Sequence, residues 1–305
     1  MNLEKNVLAI VVTYNRKKLL KECLTNLFSQ KYDCDVLVVD NCSTDGTKQY
    51  IRDFLENKKL TYVNTGANLG GAGGFNFALK YASDLNYEYF WIMDDDTMPP
   101  KDCLSNLINA ANDLKNDFGF LCSYAKFTDG NACLMNVPLI SDDWYNGNNI
   151  HNSLIKVKKA TFVSFFLKKE IVEKVGLPIK DFFIWGDDSE YTQRISRKTD
   201  KCYMVLNSLV THKMKSNKQG DFKAFLGEEG EREKRFFFSV RNRFFIARQK
   251  GGKEVCITLC KTLTMLMLVP FLAKSHRVNK QLIILKGITK GMNFNPKIEF
   301  LGKAK

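Results

Sequence analysis

Three adjacent aspartates, Asp94, Asp95 and Asp96, follow directly on the apolar run Phe90-Trp91-Ile92-Met93. A short apolar run closed by polar residues, Pro99 and Pro100 predicts a buried strand that stops abruptly. Three carboxylates crowded at one strand end repel each other at neutral pH. A hard divalent cation takes oxygen ligands and cancels that repulsion. The carboxyl ends of strands are also where open α/β sheets bind ligands. Alternation along an extended chain puts Asp94 and Asp96 on one side and Asp95 on the other. The expectation is a metal held by Asp94 and Asp96, serving a ligand that carries phosphate. The alternative is a solvated acidic turn with a helix cap.

A second acidic cluster follows an aromatic stretch at Phe182-Phe183-Ile184-Trp185-Gly186-Asp187-Asp188-Ser189-Glu190-Tyr191. One acid at a helix start is accounted for by the helix dipole. Two aspartates plus Glu190 behind an apolar wall exceed that need, so one of them is a candidate general base. His212, one of only three histidines, closes a later apolar stretch and is a candidate metal ligand, although a lone histidine is more often structural. Between these clusters and the N-terminus lies Asn68-Leu69-Gly70-Gly71-Ala72-Gly73-Gly74-Phe75. Its glycines permit close backbone approach ahead of a helix, either as a phosphate cradle or as a tight strand-to-helix turn. No Gly-Lys-Ser/Thr follows, so it is not a Walker loop. It follows the third strand, so it is no convincing dinucleotide fingerprint either.

The elements that must position these groups are read from periodicity. Strands are expected at Val7–Thr13, 36–39, Leu60–Asn64, 90–93, 118–126, 154–167 and 203–210. Helices are expected over 17–30, from the cap residues Ser43, Thr44 and Asp45 to about 55, and over 75–83, 103–114 and 190–197. The opening β-α-β-α-β order predicts an α/β protein with a mostly parallel, helix-covered sheet. Residues 129–152 are polar, Asn-rich and carry Trp144 and Tyr145; they read as a loop over the site, with acceptor contact as a role.

At 305 residues the chain suits one large domain, or one domain with an appendage. Nine cysteines form no C-x-x-C pair, which argues for a reducing compartment and against a zinc ribbon. The N-terminal apolar run reads as a first strand and not as a signal peptide. Charge is uneven. Residues 232–305 hold 17 Lys and Arg against 3 Asp and Glu, net +14, while residues 1–231 hold 29 against 30, net −1. Such a tail suits an anionic partner surface.

In order along the chain, residues 7–16, the Val38-Val39-Asp40-Asn41-Cys42-Ser43-Thr44-Asp45-Gly46-Thr47 element, the glycine run, the acidic triplet and residues 185–191 resemble glycosyltransferase family 2. These are inverting enzymes of the GT-A fold, and the resemblance covers about residues 5–250. The stretches NLGGAGGF, MDDD and WGDDSEY are most similar to bacterial galactofuranosyltransferases, with rhamnosyltransferases next. The resemblance implies roles. Thr13, Tyr14 and Asn15 would line the nucleotide pocket, Asp40 would contact uracil, and Asn68 and the glycine run from Gly70 would border uridine and sugar. Asp95 would belong to the same donor-binding set. Asp94, Asp96 and His212 would hold Mn²⁺ or Mg²⁺, and Asp188 would be the base. Those enzymes have tryptophan directly before the acidic pair, whereas here Gly186 intervenes, so Asp187 stands beside Asp188 for that role. A UDP-sugar (UDP-galactofuranose above others) is the implied donor, and a lipid-linked or polysaccharide hydroxyl the implied acceptor.

The division expected is a catalytic domain over 1–231 and a basic helical region over 232–305. Residues 255–273 are nearly apolar but contain Lys261 and Pro270, a poor transmembrane span. Val255, Leu259, Leu263, Leu266 and Met267 fall on one helical face, which predicts a basic amphipathic helix lying on an anionic cytoplasmic leaflet. The alternative is a packed helical subdomain or an oligomer contact. Nucleic-acid binding fits the charge but no recognised module is present. Two other classes compete: a nucleotidyltransferase, which would more usually carry a Gly-rich loop with Lys or Arg after the first strand, and a non-catalytic sugar-nucleotide- or membrane-binding protein.

Overall fold

The computed structural model describes residues 6–145, 153–218 and 222–302. Ten strands run in chain order: β1 (Val7–Thr13), β2 (Asp35–Asp40), β3 (Leu60–Asn64), β4 (Tyr89–Asp94), β5 (Thr97–Met98), β6 (Phe120–Lys126), β7 (Leu139–Ile140), β8 (Leu154–Lys159), β9 (Phe165–Lys168) and β10 (Cys202–His212). The helices covering them are α1 (Lys17–Leu27), α2 (Thr47–Tyr50), α3 (Arg52–Leu55), α4 (Gly70–Ser83), α5 (Cys103–Asp113), α6 (Lys169–Val175) and α7 (Asp187–Thr199). Beyond them lie α8 (Phe222–Gly227), α9 (Gly230–Arg248), α10 (Gly252–Leu272) and α11 (Arg277–Asn293).

The sheet order is β3-β2-β1-β4-β9-β6-β10-β8-β7, with β5 pairing to β10. β3, β2, β1 and β4 are parallel to one another, as are β6 and β10. β9 is antiparallel to both its neighbours. β1, β2 and β4 are buried, mostly apolar runs because helices cover both faces, whereas β3 at the sheet edge is only partly buried. Residues of β1, β2 and β4 that point one way pack under α1 and α5, and those that point the other way pack under α4, α6 and α7.

Several expectations are corrected. Residues 154–167 form two strands, not one. β8 lies on the outer side of β10, whereas β9 inserts between β4 and β6. The break falls at Ser164, which takes φ +54 and whose hydroxyl accepts from the Trp91 indole at 2.9 Å. The expected helix through 55 is two short helices, broken at the buried Ile51. The glycine run does not precede its helix: α4 begins at Gly70. Gly74 needs its missing side chain, since a Cβ there would stand 2.7 Å from Asn41 Nδ2 and from Val12 Cγ1. The glycines thus let the first turns of α4 press against the ends of β1 and β2.

The predicted face of residues 255–273 is split. Leu259 and Leu266 pack toward α9 and α11, whereas Leu263 and Met267 are exposed. The helix is apolar on every side, so periodicity could not select its inner face.

Candidate active site

Three strands end together. The pairing that sets Thr13 beside Asp40 also sets Val12 beside Asp94, so β1, β2 and β4 deliver their last residues to one edge. After Asp94 the chain turns back, and β5 pairs antiparallel with the end of β10, with His212 opposite Thr97. That pairing brings His212 within 2.9 Å of Asp96, as Nε2 to Oδ1. Asp94, Asp96 and His212 each present one ligand atom, all within 4.8 Å of one another. Among the described residues it is the one such group of acids, histidines or cysteines. Two carboxylates and an imidazole form a donor set for Mn²⁺, or for Mg²⁺ completed by water.

The electrostatics fit a cation. Burial and the Asp96 charge push Asp94 up to about 7, and burial pushes Asp95 up to about 6. Burial also works to raise Asp96, but hydrogen bonding and charge from His212, together with Arg16, outweigh it and hold the carboxyl below its usual range. His212 is raised to about 10: burial opposes its charge, and Asp96 overrides burial. Its Nδ1 lies 2.8 Å from Asn136 Oδ1, while Asn136 Nδ2 donates to Thr161 Oγ1 at 2.7 Å. Asn136 thereby accepts from Nδ1–H and leaves Nε2 as the nitrogen facing the carboxylates.

The alternation expected of an extended chain does not hold here, because β4 ends at Asp94 and Asp95 and Asp96 form a turn. Asp95 Oδ2 accepts from Thr13 Oγ1 at 2.7 Å and its Oδ1 from Arg16 Nη1 at 3.3 Å. The same guanidinium pairs with Asp96. Tyr14 is exposed at the end of β1. Asn15 has φ +53 and is tied to the following loop, donating its N–H to Ser43 Oγ and accepting from Thr44 N. The Asp40 carboxylate is held by the Tyr62 hydroxyl and the Ser43 N–H, beside a cavity of about 550 Å³ that Thr47, Lys48, Arg52 and Asn64 also line. Asn68 Oδ1 accepts the Gly70 N–H at 2.9 Å and so caps the start of α4. At Gly70, φ is +71, and a side chain would run into the Phe183 carbonyl oxygen.

Asp187 and Asp188 are the first two residues of α7, preceded by Gly186 at φ +90. Burial raises both carboxyls above their usual range; Asp188 raises Asp187 further, while Ser189 and Lys159 work against the rise at Asp188. The Asp94 charge works in the same direction on Asp187. Glu190 belongs elsewhere. Its carboxylate pairs with buried Arg194 at 2.9 and 3.1 Å, and Arg194 also caps the carbonyls of Val175 and Leu177. Removing one partner of a buried pair strands the other charge. Glu190→Ala is therefore expected to lower stability by about 3–5 kcal/mol in urea unfolding. A loss under about 1 kcal/mol would place this pair with the energetically weak ones.

Of the expected loop over the site, Asn136 makes the contact to His212. Trp144 and Tyr145 form an exposed edge-to-face pair, and residues 146–152 lie outside the described residues. Arg16, Asn136, Arg241 and Asn242 carry no spacing signal that would have found them. Arg16 closes the 7–16 stretch and Asn136 lies within the 129–152 loop, yet nothing in either stretch singles these residues out.

A mixed sheet whose parallel strands β1, β2 and β4 end at a cluster of two aspartates and a histidine, in a chain with an acidic pair at the start of α7, defines a GT-A glycosyltransferase scaffold. Residues 8–176 match Glycosyl transferase family 2, and the chain belongs to that family. The galactofuranosyltransferase GlfT1 of Mycolicibacterium smegmatis is 27% identical over 267 residues, covering 82% of this chain and 85% of that protein. The mannosyltransferase PcManGT of Pyrobaculum calidifontis, solved with GDP-Man and Mn²⁺, superposes with a TM-score of 0.59 at 20% identity, covering 95% of this chain and 88% of that one. Residues 1–349 of TarS from S. aureus, solved with UDP-GlcNAc, superpose with a TM-score of 0.54 at 17% identity, covering 95% and 73%. This chain spans 44% of the longer TarS structure.

Proposed function

We propose that the protein is an inverting, metal-dependent glycosyltransferase that moves a hexose, galactofuranose from UDP-galactofuranose as the leading choice, onto a hydroxyl of a lipid-linked or polysaccharide acceptor. One observation carries the reading: the Asp94–Asp96–His212 cluster gathered at the strand ends, in a chain that also sets two adjacent aspartates, Asp187 and Asp188, at the start of α7. Asp94, Asp96 and His212 would hold Mn²⁺ or Mg²⁺, a Lewis acid that offsets charge on a leaving diphosphate. Asp40 and the residues at the end of β1 bind and orient the nucleotide. The Asp188 carboxylate takes the acceptor proton while the acceptor oxygen bonds to the anomeric carbon. The bond from that carbon to the diphosphate oxygen breaks on the opposite face, and the electron pair leaves with the nucleotide. One displacement inverts the anomeric centre, and no covalent enzyme intermediate forms.

The test is nucleotide release from a panel of UDP-, dTDP- and GDP-sugars with a membrane-lipid extract, with and without chelator. Turnover with UDP-galactofuranose alone supports the leading donor. Turnover with another sugar corrects the donor within the same class. No turnover together with no metal-dependent UDP binding sinks the enzyme reading.

The acceptor side of the proposal includes an anionic membrane on the cytoplasmic face. Against the expectation of a poor span, α10 is long and apolar enough to cross a bilayer, and little of it is buried against the rest of the protein. Val269 packs against α9 and α11, while Phe271 is 80% and Met267 69% exposed. Val278 and Leu282 of α11 are exposed as well, and so are Lys261, Lys274, Arg277, Lys286 and Lys290 of the same region. Exposed apolar side chains and exposed cations on the same helices suit binding in the interface plane. The protein is expected to float with anionic liposomes at low salt, and Phe271→Glu with Met267→Glu is expected to release it. Failure to float at low salt removes the membrane from the proposal.

A further inference from the structure

The segment that delivers the acidic pair is irregular and contorted. Phe183 and Trp185 take φ +62 and +64, which bulky residues rarely do, and Gly186 follows at φ +90. Such a segment persists only if its surroundings hold it, and its carbonyls show what does. Arg241 Nη2 donates to Asp181 O at 2.6 Å and to Phe182 O at 3.2 Å. Asn242 Nδ2 donates to the carbonyls of Phe182, Ile184 and Trp185 at 3.1, 3.2 and 2.8 Å. The remaining carbonyl, Phe183 O, accepts from Ala72 N in the glycine turn of α4 at 3.1 Å. Every carbonyl from Asp181 to Trp185 is thus bound by a donor from α9 or α4.

The two α9 residues act as one unit. Arg241 Nε donates to Asn242 Oδ1 at 3.0 Å. That bond fixes which end of the amide faces the loop, because the guanidinium only donates. Asn242 is 1% exposed, and the Arg241 guanidinium lies 3.9 Å from the centroid of the Phe294 ring. A carboxylate would face three carbonyl oxygens, and alanine would leave buried acceptors bare.

We propose that Arg241 and Asn242 are positioning residues that hold the 181–186 segment so that Asp187 and Asp188 meet the acceptor. The tail region is then part of the catalytic apparatus through α9, whatever surface α10 and α11 engage. The proposal rests on the reading of Asp187 and Asp188 as the basic pair.

Full-length Asn242→Ala, Asn242→Asp and Arg241→Lys are compared with wild type by backbone hydrogen exchange, by Mn²⁺ and UDP binding, and by transfer rate. In Asn242→Ala, exchange is expected to rise over 181–188 and to stay unchanged over 89–96 and 202–212. Transfer kcat is expected to fall on the order of 10²-fold, the size of effect that misplacing a reacting group by about 1 Å produces. Donor KM and Mn²⁺ affinity are expected within about threefold of wild type, since ground-state donor contacts are untouched. Asn242→Asp is expected to match or exceed this loss, and Arg241→Lys to fall between. Unchanged exchange over 181–188 overturns the proposal. So does exchange that rises throughout the chain, which marks general destabilisation, and so does a loosened loop with kcat intact. If wild type transfers no sugar from any donor, the glycosyltransferase reading fails separately, and the exchange pattern still decides whether the clamp exists.

Discussion

Asp96→Asn is expected to abolish metal-dependent transfer while leaving the fold intact. Asp96 is almost fully buried and sits at the centre of the cluster, with His212 on one oxygen and Arg16 on the other. An amide keeps the shape but removes one hard anionic donor of the three and the negative charge that holds His212 in place. Lewis-acid stabilisation of a leaving diphosphate is worth several kcal/mol. At about 1.36 kcal/mol per tenfold, the rate should drop by roughly 10³-fold or more. Mn²⁺ titration followed by electron paramagnetic resonance should show weakened binding in the same variant, and chelator should reproduce the rate loss in wild type. Mn²⁺ affinity equal to wild type, with transfer intact in chelator, would remove Asp96 from a metal site.

Asp188→Asn should produce the second large loss, because an asparagine cannot take the acceptor proton. Positioned general bases contribute about 10²–10⁴-fold, and the variant should lose that factor in kcat with donor affinity retained. The pH dependence follows from the direction of the shift. Burial raises the Asp188 carboxyl above its usual range, so the group stays protonated, and inactive as a base, to a higher pH than a surface aspartate. Wild-type kcat should therefore rise with pH along an acid limb lying above about 3.9, the ordinary aspartate value. In Asp188→Asn the residual rate should lose that limb. Asp187→Asn is the matched comparison. If it loses the larger factor and the acid limb while Asp188→Asn keeps both, the base is Asp187.

Much of the frame was legible in the residues. β1 matches its expected bounds because a continuous apolar run ending in polar residues leaves few alternatives to a covered parallel strand, and the edge strand β3 matches as well. The strand ending on Asp94 was legible too, but the two-residue repeat expected to carry on to Asp96 gives way to a turn at Asp95 and Asp96. What escaped was long-range. Ser164 splits one apolar stretch into two strands at distant places in the sheet, and nothing local marks a serine for a left-handed conformation. Glu190 looked like a third member of an acidic cluster, yet its partner Arg194 one helical turn on draws it into the core. In α10, apolar residues on all sides erased the periodic signal that separates the packed face from the exposed one.

The sequence by itself determined the opening strand-and-helix alternation as far as β4, the acidic strand end and the acids at the start of a helix, because short-range periodicity and like-charge crowding are local properties. Only the tertiary structure decided that His212 reaches Asp96 across 116 positions of chain, through the pairing of β5 with β10. It also decided that Asn136 orients the imidazole, that Arg16 spans Asp95 and Asp96, and that Arg241 and Asn242 hold the loop before Asp187. Hydrogen-bond partners between distant segments follow from sheet register and helix packing, and these are set by how the whole core closes.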